Sequence, residues 1–405
     1  MSISSYANDP RFIVNLGLSR IRALLSLLGD PQDKIKVIHV AGTNGKGSVC
    51  AFLLSILRQA GLKTGLFSSP ELVNVNERIS IGGVNISDAA LNSLFERIEN
   101  AIKKLPEKPS PFEIWTAAAY LYFYEQKCDY AIVEVGLGGL EDATNVISKP
   151  ALSIITRISI DHTDYLGETV SEIAFHKCGI IKEGCPIVTI EQDKSAMEVI
   201  RHTALKTSAP LFTAPLFHST PDGMMEKLLT DIGPAISALP GLNQAENASV
   251  AITAAKLLRI DKEHIISGIE HASHKGRFEV LSSEPFIIFD GAHNEGGAKA
   301  LSDNLSRYFP GEKFVFIFAA MRDKAISDML KTLSPHAESF IFTTVSGNPR
   351  AATCDELCAA AKCLDLDCDY DADLSGAIKK ALLISKRVII AGSLYLYKNL
   401  PVFDK

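Results

Sequence analysis

The sequence predicts an α/β protein of two domains built on mostly parallel sheets. Three observations lead there. Strand-like apolar runs alternate with segments of helical spacing along the chain, the pattern of parallel sheets covered by helices on both faces. A glycine-rich turn joins the first strong strand to a helix, at Lys36-Val37-Ile38-His39-Val40-Ala41-Gly42-Thr43-Asn44-Gly45-Lys46-Gly47-Ser48. At 405 residues the chain is too long for one core, and the alternation resets around His271-Ala272-Ser273-His274-Lys275-Gly276. The boundary is placed there, giving domains 1–274 and 275–405.

Composition narrows the function classes. Hydrophobic residues are 47% and charged ones 22%, as in an ordinary soluble globular protein. The net charge of −6, without a basic block, argues against nucleic acid as a partner. The start, Met1-Ser2-Ile3-Ser4-Ser5-Tyr6, lacks a cationic, apolar signal pattern. No apolar run reaches the ~18 residues of a membrane span. Of eight cysteines, Cys354, Cys358, Cys363 and Cys368 cluster without the paired C-x-x-C spacing of zinc sites. They read as thiols in a reducing cytoplasm.

In chain order, Leu16 to Leu28 has helical spacing and stops at Gly29-Asp30-Pro31. The apolar run before Gly42 is a strand, and Val49 to Ala60 a helix. Lys63 to Phe67 makes a short strand. From Ser68-Ser69-Pro70-Glu71-Leu72 to Glu77-Arg78-Ile79-Ser80-Ile81, Pro and Ser signal a loop. Ser87 to Lys104 is an amphipathic helix, and a further helix runs from Pro111-Phe112-Glu113 to Tyr124. Asp129 to Val135 is a nearly continuous apolar strand of the buried parallel kind. Ala151 to Thr156 and Cys185 to Ile190 are strands, with a helix at Thr169 to Lys177. Gln192 to Pro240 has too weak a period to divide. A long helix covers Ala245 to Leu258. Beyond the boundary come strands at Phe286–Asp290, Lys313–Ala319, Ser339–Thr343 and Arg387–Ala391. The helices among them start near Gly296, Cys354 and Ser375, with another after Ala319. This second unit has about 130 residues, an ordinary domain size.

Strand, glycine-rich turn and helix form the context of a phosphate-binding loop. Gly42, Thr43, Asn44, Gly45, Gly47 and Ser48 supply the turn and Lys46 a point charge. Gly47 departs from the usual G-x-x-x-x-G-K-[ST] spacing. Glu134 lies near the C-terminal end of its apolar strand, the end where ligands sit in open α/β sheets. A carboxylate there is either partnered in the core or bound to a cation, and one strand away from a phosphate loop the cation is Mg²⁺. His162 follows Asp161 at the end of another strand, as a loop histidine or a second metal ligand. Lys177, taken alone, is a lysine at a helix C-terminus, favoured there by the dipole.

The string G-T-N-G-K-G-S resembles the ATP-dependent amide ligases of the Mur ligase superfamily, and its Gly47-Ser48 ending resembles the folylpolyglutamate synthase / dihydrofolate synthase family. Six further segments are similar to that family's motifs in order. They are Ser69-Pro70 with Glu77-Arg78-Ile79, and Asp161-His162 to Lys182 (D-H-x-x-x-L-G-x-T…I-A-x-E-K-A-G-I-x-K in the family). They continue with Gly241, Gln244 and Asn247, then Gly276-Arg277-Phe278-Glu279, Asp290-Gly291-Ala292-His293-Asn294 and Gly392-Ser393-Leu394-Tyr395. The resemblance implies a P-loop ATPase-type first domain and a smaller, Rossmann-like glutamate ligase domain. It implies ATP and Mg²⁺, with Ser48, Ser69 and Glu134 on one ion and His162 and a carbamylated Lys177 on a second. It implies Asn247 at the nucleotide, Arg277 at phosphate, Asp290 at the ribose and His293 near the phosphates.

The implied reaction joins L-glutamate to a folate, and to dihydropteroate as well, through an acyl phosphate. The catalytic set is Lys46, Lys177, His162, Glu134 and His293, in a cytoplasmic monomer without nucleic-acid or membrane partners. A monofunctional folylpolyglutamate synthase and a muramyl-peptide ligase are the alternatives. Four positions in three motifs depart from the family: Glu71 stands for histidine in S-P-H-L, Leu140 for arginine in G-G-R-x-D-A-T-N, and His176 with Cys178 for glutamate and alanine in E-K-A-G-I. The resemblance places them around the active centre, with Glu71 and Leu140 on acceptor-side loops.

Overall fold

The structure, a computed structural model, describes residues 16–403. The leader-free reading of Met1 to Tyr6 falls outside that range. The chain divides into two compact units. The first holds residues up to His218, Leu228–Ser237 and Ala245–Ser273, and the second holds Ser219–Lys227, Ala238–Gln244 and His274 onward.

In chain order the first part runs α1 (Ser19–Leu27), β1 (Val37–Ala41), α2 (Lys46–Gln59), β2 (Thr64–Phe67), β3 (Ile79–Ile81), β4 (Val84–Asn85), α3 (Asp88–Ile102) and α4 (Pro111–Glu125). It continues through β5 (Tyr130–Glu134), β6 (Leu152–Ile155), α5 (Thr163–Leu166), α6 (Val170–Cys178), β7 (Ile187–Ile190), α7 (Lys194–Lys206) and β8 (Leu211–Ala214). Then come β9 (His218–Asp222), β10 (Met225–Thr230), β11 (Gly233–Ser237), α8 (Leu242–Leu257) and α9 (Lys262–Glu270). Eight strands form one sheet in the order β4-β3-β2-β5-β1-β6-β7-β8. Its pairs from β2 through β8 are parallel, and β3 and β4 add an antiparallel edge. β1 is buried along its whole length, which is why it reads as an unbroken apolar run. α4 opens with a capping box between Ser110 and Glu113, with Pro111 in the first turn. It is apolar all round, and Trp115, Tyr120 and Phe123 are fully buried.

The sequence reading of a loop through Glu77–Ile81 is corrected here. Val75–Arg78 is a 3-10 turn, and β3 and β4 form a hairpin beyond it. Two and three residues are too short to show a strand period against Pro and Ser. The undivided stretch 192–240 contains α7 and β8 to β11. The last three of these make a separate sheet in the order β11-β10-β9.

The second unit contains β12 (Glu279–Ser283), β13 (Phe286–Asp290), α10 (Glu295–Tyr308), β14 (Phe314–Phe318), α11 (Ile326–Leu333) and β15 (Ala337–Phe342). It ends with α12 (Cys354–Lys362), β16 (Cys368–Tyr370), α13 (Leu374–Ile384) and β17 (Arg387–Ala391). Its sheet runs β12-β13-β17-β14-β15-β16, antiparallel only between β12 and β13. The core is phenylalanine-rich: Phe314, Phe316, Phe318, Phe340 and Phe342 are buried together. Glu226, 0% exposed, accepts from Arg307 Nε at 2.7 Å and Nη2 at 2.9 Å and from the hydroxyl of Tyr308. That fully paired carboxylate fixes the 219–227 segment to α10. Among the described residues no helix is long and apolar enough to cross a membrane.

Candidate functional site

The C-terminal edge of the first sheet gathers most of the residues named from the sequence. Val40 of β1 lies level with Glu134 of β5, Ala41 with Ile155 of β6, and Phe67 of β2 with Val133. Ser68-Ser69, Glu134, Gly42 and Thr156-Arg157 therefore emerge side by side along that edge. Glu134 is buried, and its charge helps push up the pKa of Cys50 in α2, after the larger effect of burial.

Sterics fix the phosphate loop. Gly42 has φ 150° and Gly45 has φ 92°. A Cβ at Gly42 would stand 1.8 Å from Thr156 Oγ1, and one at Gly45 would stand 2.4 Å from Oδ1 of the buried Asn247. Only glycine passes both points, and the second brings α8 against the loop. The N–H groups of Thr43 and Asn44 both donate to Arg157 O, at 2.9 and 3.1 Å. Thr43 Oγ1 donates to Ser159 O, and Asn44 Nδ2 to Ser159 Oγ, each at 3.0 Å. These two residues staple the loop to the chain after β6. The donors that can meet an anion are then the N–H groups at the very start of α2, at Lys46 and Gly47, ahead of the helical ladder that Val49 N–H opens by donating to Gly45 O. Lys46 folds its Nζ onto the carbonyls of Gly42 at 3.1 Å and Thr43 at 3.3 Å. Ser48 is buried in the first turn of the same helix.

Lys177 sits in the last turn of α6, 4% exposed, and its Nζ donates to Gly42 O at 2.9 Å. Burial, and then the positive charge of Lys46, lower its pKa to about 7, while Asp161 and Asp142 pull the other way. His162 adopts φ 52°, a left-handed conformation uncommon for a residue with a side chain. Its N–H donates to Asp161 Oδ1 at 2.9 Å. Lys46, Lys177 and Asp161 thus share one electrostatic neighbourhood with Gly42.

A buried relay that the sequence reading passed over lies behind this edge. His39 Nε2 donates to Thr144 Oγ1 at 2.9 Å, and that hydroxyl donates to Asp142 Oδ1 at 2.5 Å. Asp142 Oδ2 accepts from Leu137 N–H at 2.8 Å. Burial raises the Asp142 carboxyl and lowers the His39 imidazole to about 3, so His39 is neutral. Asn145 Nδ2 bridges Leu140 O at 2.9 Å and Gly179 O at 3.1 Å, and Leu140 N–H donates to His176 O at 2.7 Å. The glycine-rich 136–142 loop is therefore clamped onto the end of α6, where Lys177 projects. Leu140 and His176, two departures from the family pattern, are neighbours through that bond. Arg157, also unremarked in the sequence, pairs with Glu246 of α8 at 2.7 Å. A cation directly after a buried strand was the available signal.

In the second unit, Asp290 ends β13 and accepts from Phe278 N–H and Ala292 N–H, both at 2.8 Å. Burial raises its pKa, opposed first by Arg277. Arg277 Nη1 donates to Gly291 O at 3.4 Å. His293 Nδ1 donates to the same carbonyl at 2.8 Å, which fixes the Nδ1–H tautomer. Arg277, Asp290 and His293 are thus brought together around Gly291. The Gly241, Gln244, Asn247 motif is divided: the first two belong to the second unit and Asn247 to the first.

The donor set on the first unit suits a hard cation in part. Ser48, Ser69 and Glu134 offer oxygens, as Mg²⁺ prefers. An unmodified Lys177 offers none, because its Nζ is a donor to Gly42 O. Among the described residues no group of three or more His, Cys, Asp or Glu side chains could hold a metal ion.

Two family models match the chain: the Mur ligase middle domain over residues 40–255, and the Mur ligase glutamate ligase domain over 276–394. A dihydrofolate synthase/folylpolyglutamate synthase of Bacillus subtilis is 37% identical over 96% of this chain and 95% of its own. The folylpolyglutamate synthase of Lacticaseibacillus casei is 32% identical over 93% and 92%. The structure of Mycobacterium tuberculosis folylpolyglutamate synthase complexed with ADP and AMPPCP superposes with a TM-score of 0.89 at 31% identity, covering 95% of this chain and 94% of that one. E. coli FolC in complex with DHPP and ADP gives 0.87 at 28% identity over 98% and 96%. A middle-domain match over more than half of the chain, with these near full-length relatives, places it in the Mur ligase family, in the folylpolyglutamate synthase / dihydrofolate synthase branch of ATP-dependent ligases.

Proposed function

We propose that this enzyme adds L-glutamate to a reduced folate, and also to dihydropteroate, at the expense of ATP, acting as a cytoplasmic monomer. The observation that carries the reading is Lys177: a buried lysine with its pKa near 7, held against the phosphate loop at Gly42 beside Lys46. A neutral amine there is the form that CO₂ carbamylates, and a carbamate is an anionic oxygen ligand. Ser48, Ser69 and Glu134 would hold one Mg²⁺, and His162 with carbamylated Lys177 a second. Bound Mg²⁺ supplies positive charge against the phosphoryl oxygens.

A carboxylate oxygen of the acceptor attacks the γ-phosphorus of ATP. The bond from that phosphorus to the β,γ-bridging oxygen breaks, and ADP leaves. The amine nitrogen of glutamate then attacks the acyl carbon, expels phosphate and loses its proton. Lys46 offsets charge on the transferring phosphoryl, and the N-terminus of α2 binds phosphate oxygens. We assign Asn247 to the nucleotide, Arg277 to phosphate charge, Asp290 to the ribose hydroxyls and His293 to the phosphate end. The net charge of −6, without a basic block, fits small-molecule substrates.

The test is turnover of purified protein with tetrahydrofolate and with dihydropteroate, side by side. ADP release is expected only when acceptor and glutamate are both present. Extension of tetrahydrofolate alone replaces the bifunctional reading with the monofunctional one. Turnover of neither acceptor overturns the proposal.

A further inference from the structure

On the sheet edge that carries the phosphate loop, at the entry to β3, lies an arginine that the reaction above does not use. Ser68 N–H donates to Arg78 O at 3.1 Å, and Phe67 lies level with Ile79, so Arg78 stands at the mouth of β2 next to Ser69. Arg78 Nε donates to Glu71 Oε2 at 2.5 Å. Its guanidinium lies over the ring of Trp115, 5.3 Å from the centroid, and that ring is fully buried in α4. Both partners stay partly open, with side-chain exposures of 21% for Arg78 and 23% for Glu71.

The surrounding loop is built to hold this arrangement. Glu77 accepts from the N–H groups of Leu72 and Asn74, and Asn74 caps the 3-10 turn in return. Asn76 Nδ2 ties the turn to Ile86 O and Asp88 Oδ1, each at 2.8 Å. Glu71 is thereby turned back toward Arg78. The result is a guanidinium fixed by its Nε and by its face, with no further protein partner for Nη1 or Nη2 among the described residues. An arginine serving only the loop would spend its fork on the loop. A fork held at one end and stacked on a ring loses little freedom when it meets a planar anion.

The proposed folate acceptor supplies that anion. Its terminal glutamyl group carries two carboxylates, of which only the γ one is activated. Presenting the γ group to phosphorus requires something to hold the α group, because both are chemically able to react. We propose that Arg78 binds the α-carboxylate of the folate's terminal glutamyl group, with Glu71 and Trp115 as positioning residues. Glu71 repels a carboxylate from its own side, so the ligand must approach the Nη side of the guanidinium. This inference rests on the folate reading.

The experiment compares two acceptors: tetrahydropteroyl-glutamate, and its analogue carrying γ-aminobutyrate in place of glutamate. The analogue keeps the reacting carboxylate and lacks the α one. Wild-type protein is expected to bind the glutamyl acceptor with a KM lower by roughly tenfold or more, as suits a charge-assisted pair. Arg78→Gln should raise the glutamyl KM by about that factor and leave the analogue within about twofold, erasing the preference. Arg78→Lys, which keeps the cation without the fork, should retain part of it. If Arg78→Gln does not fold, the lysine variant decides by the same ratio. Equal losses with both acceptors, or no loss with either, overturn the assignment. If wild-type protein extends neither acceptor, the folate reading itself falls, and this inference with it.

Discussion

Lys177 Nζ donates to the carbonyl of Gly42 at 2.9 Å across 135 residues of sequence. The bond joins the end of α6 to the start of the phosphate loop, and it places a titrating amine among charged groups. At its pKa of about 7, about half of the side chain is neutral at neutral pH. Lys177→Ala is expected to abolish turnover, with short carboxylates restoring part of it. Carbon-13 NMR of protein equilibrated with labelled bicarbonate should show a carbamate signal that the variant lacks. A fully active protein without that signal removes the carbamate.

Lys46 rests on the carbonyls of Gly42 and Thr43 rather than in the core. Lys46→Ala should therefore leave the fold intact while lowering kcat by roughly 10²-fold, the loss expected for one charge aimed at the transferring phosphoryl. Steady-state kinetics and a thermal melt check both halves. Near-normal kcat would end its catalytic assignment.

Gly45→Ala tests the packing of α8 against the loop. The new Cβ meets Asn247 Oδ1 at 2.4 Å, in a backbone conformation that disfavours any side chain. The left-handed strain alone costs about 1–2 kcal/mol, and the clash adds to it. Urea denaturation should show that loss, together with weaker nucleotide binding. Adding Asn247→Ala should recover the clash but not the strain. A Gly45→Ala protein as stable as wild type contradicts the geometry.

His39 predicts an acid limit. Its folded pKa of about 3 lies below the ordinary 6.5, so between those values the unfolded chain binds more protons. Its contribution is complete above about pH 6.5 and falls as pH drops toward 3, by up to roughly 1.4 kcal/mol per unit. His39→Phe should flatten the stability profile in that window, as read from urea melts across it. An unchanged slope would mean that other groups set the acid limit.

Local pattern explains what the sequence disclosed. The phosphate loop is contiguous, and its strand, turn and helix each leave their own signal. Glu134 stands out because a carboxylate interrupts a buried strand. By contrast, Asn247 meets Gly45 only because α8 packs there, and no local rule carries a pairing over that distance. The relay from His39 through Thr144 to Asp142 was hidden for the same reason. The β3–β4 hairpin and β16 are short edges with too few residues for a period. Of the strands in 218–237, β9 is mostly exposed, and β10 alternates in burial but places the charged Glu226 on its buried face, so neither shows an apolar period. Glu71 was visible as a departure, but its ion pair with Arg78 needed the loop's course.

The pairing of Glu226 with Arg307 bears on how the protein can be taken apart. Segments 219–227 and 238–244 belong with the unit that otherwise begins at His274. A fragment cut at that point keeps Arg307 and Tyr308 but loses the carboxylate that both of them bind. Gly241, whose N–H donates to Tyr308 Oη at 2.8 Å, is lost with it. The second unit is thus discontinuous in sequence, and a single proteolytic cut cannot excise it whole. Chimeras with relatives face the same constraint. A crossover near residue 274 mixes one parent's acid with the other parent's arginine, so recombination preserves the unit only when 219–227, 238–244 and α10 are inherited together.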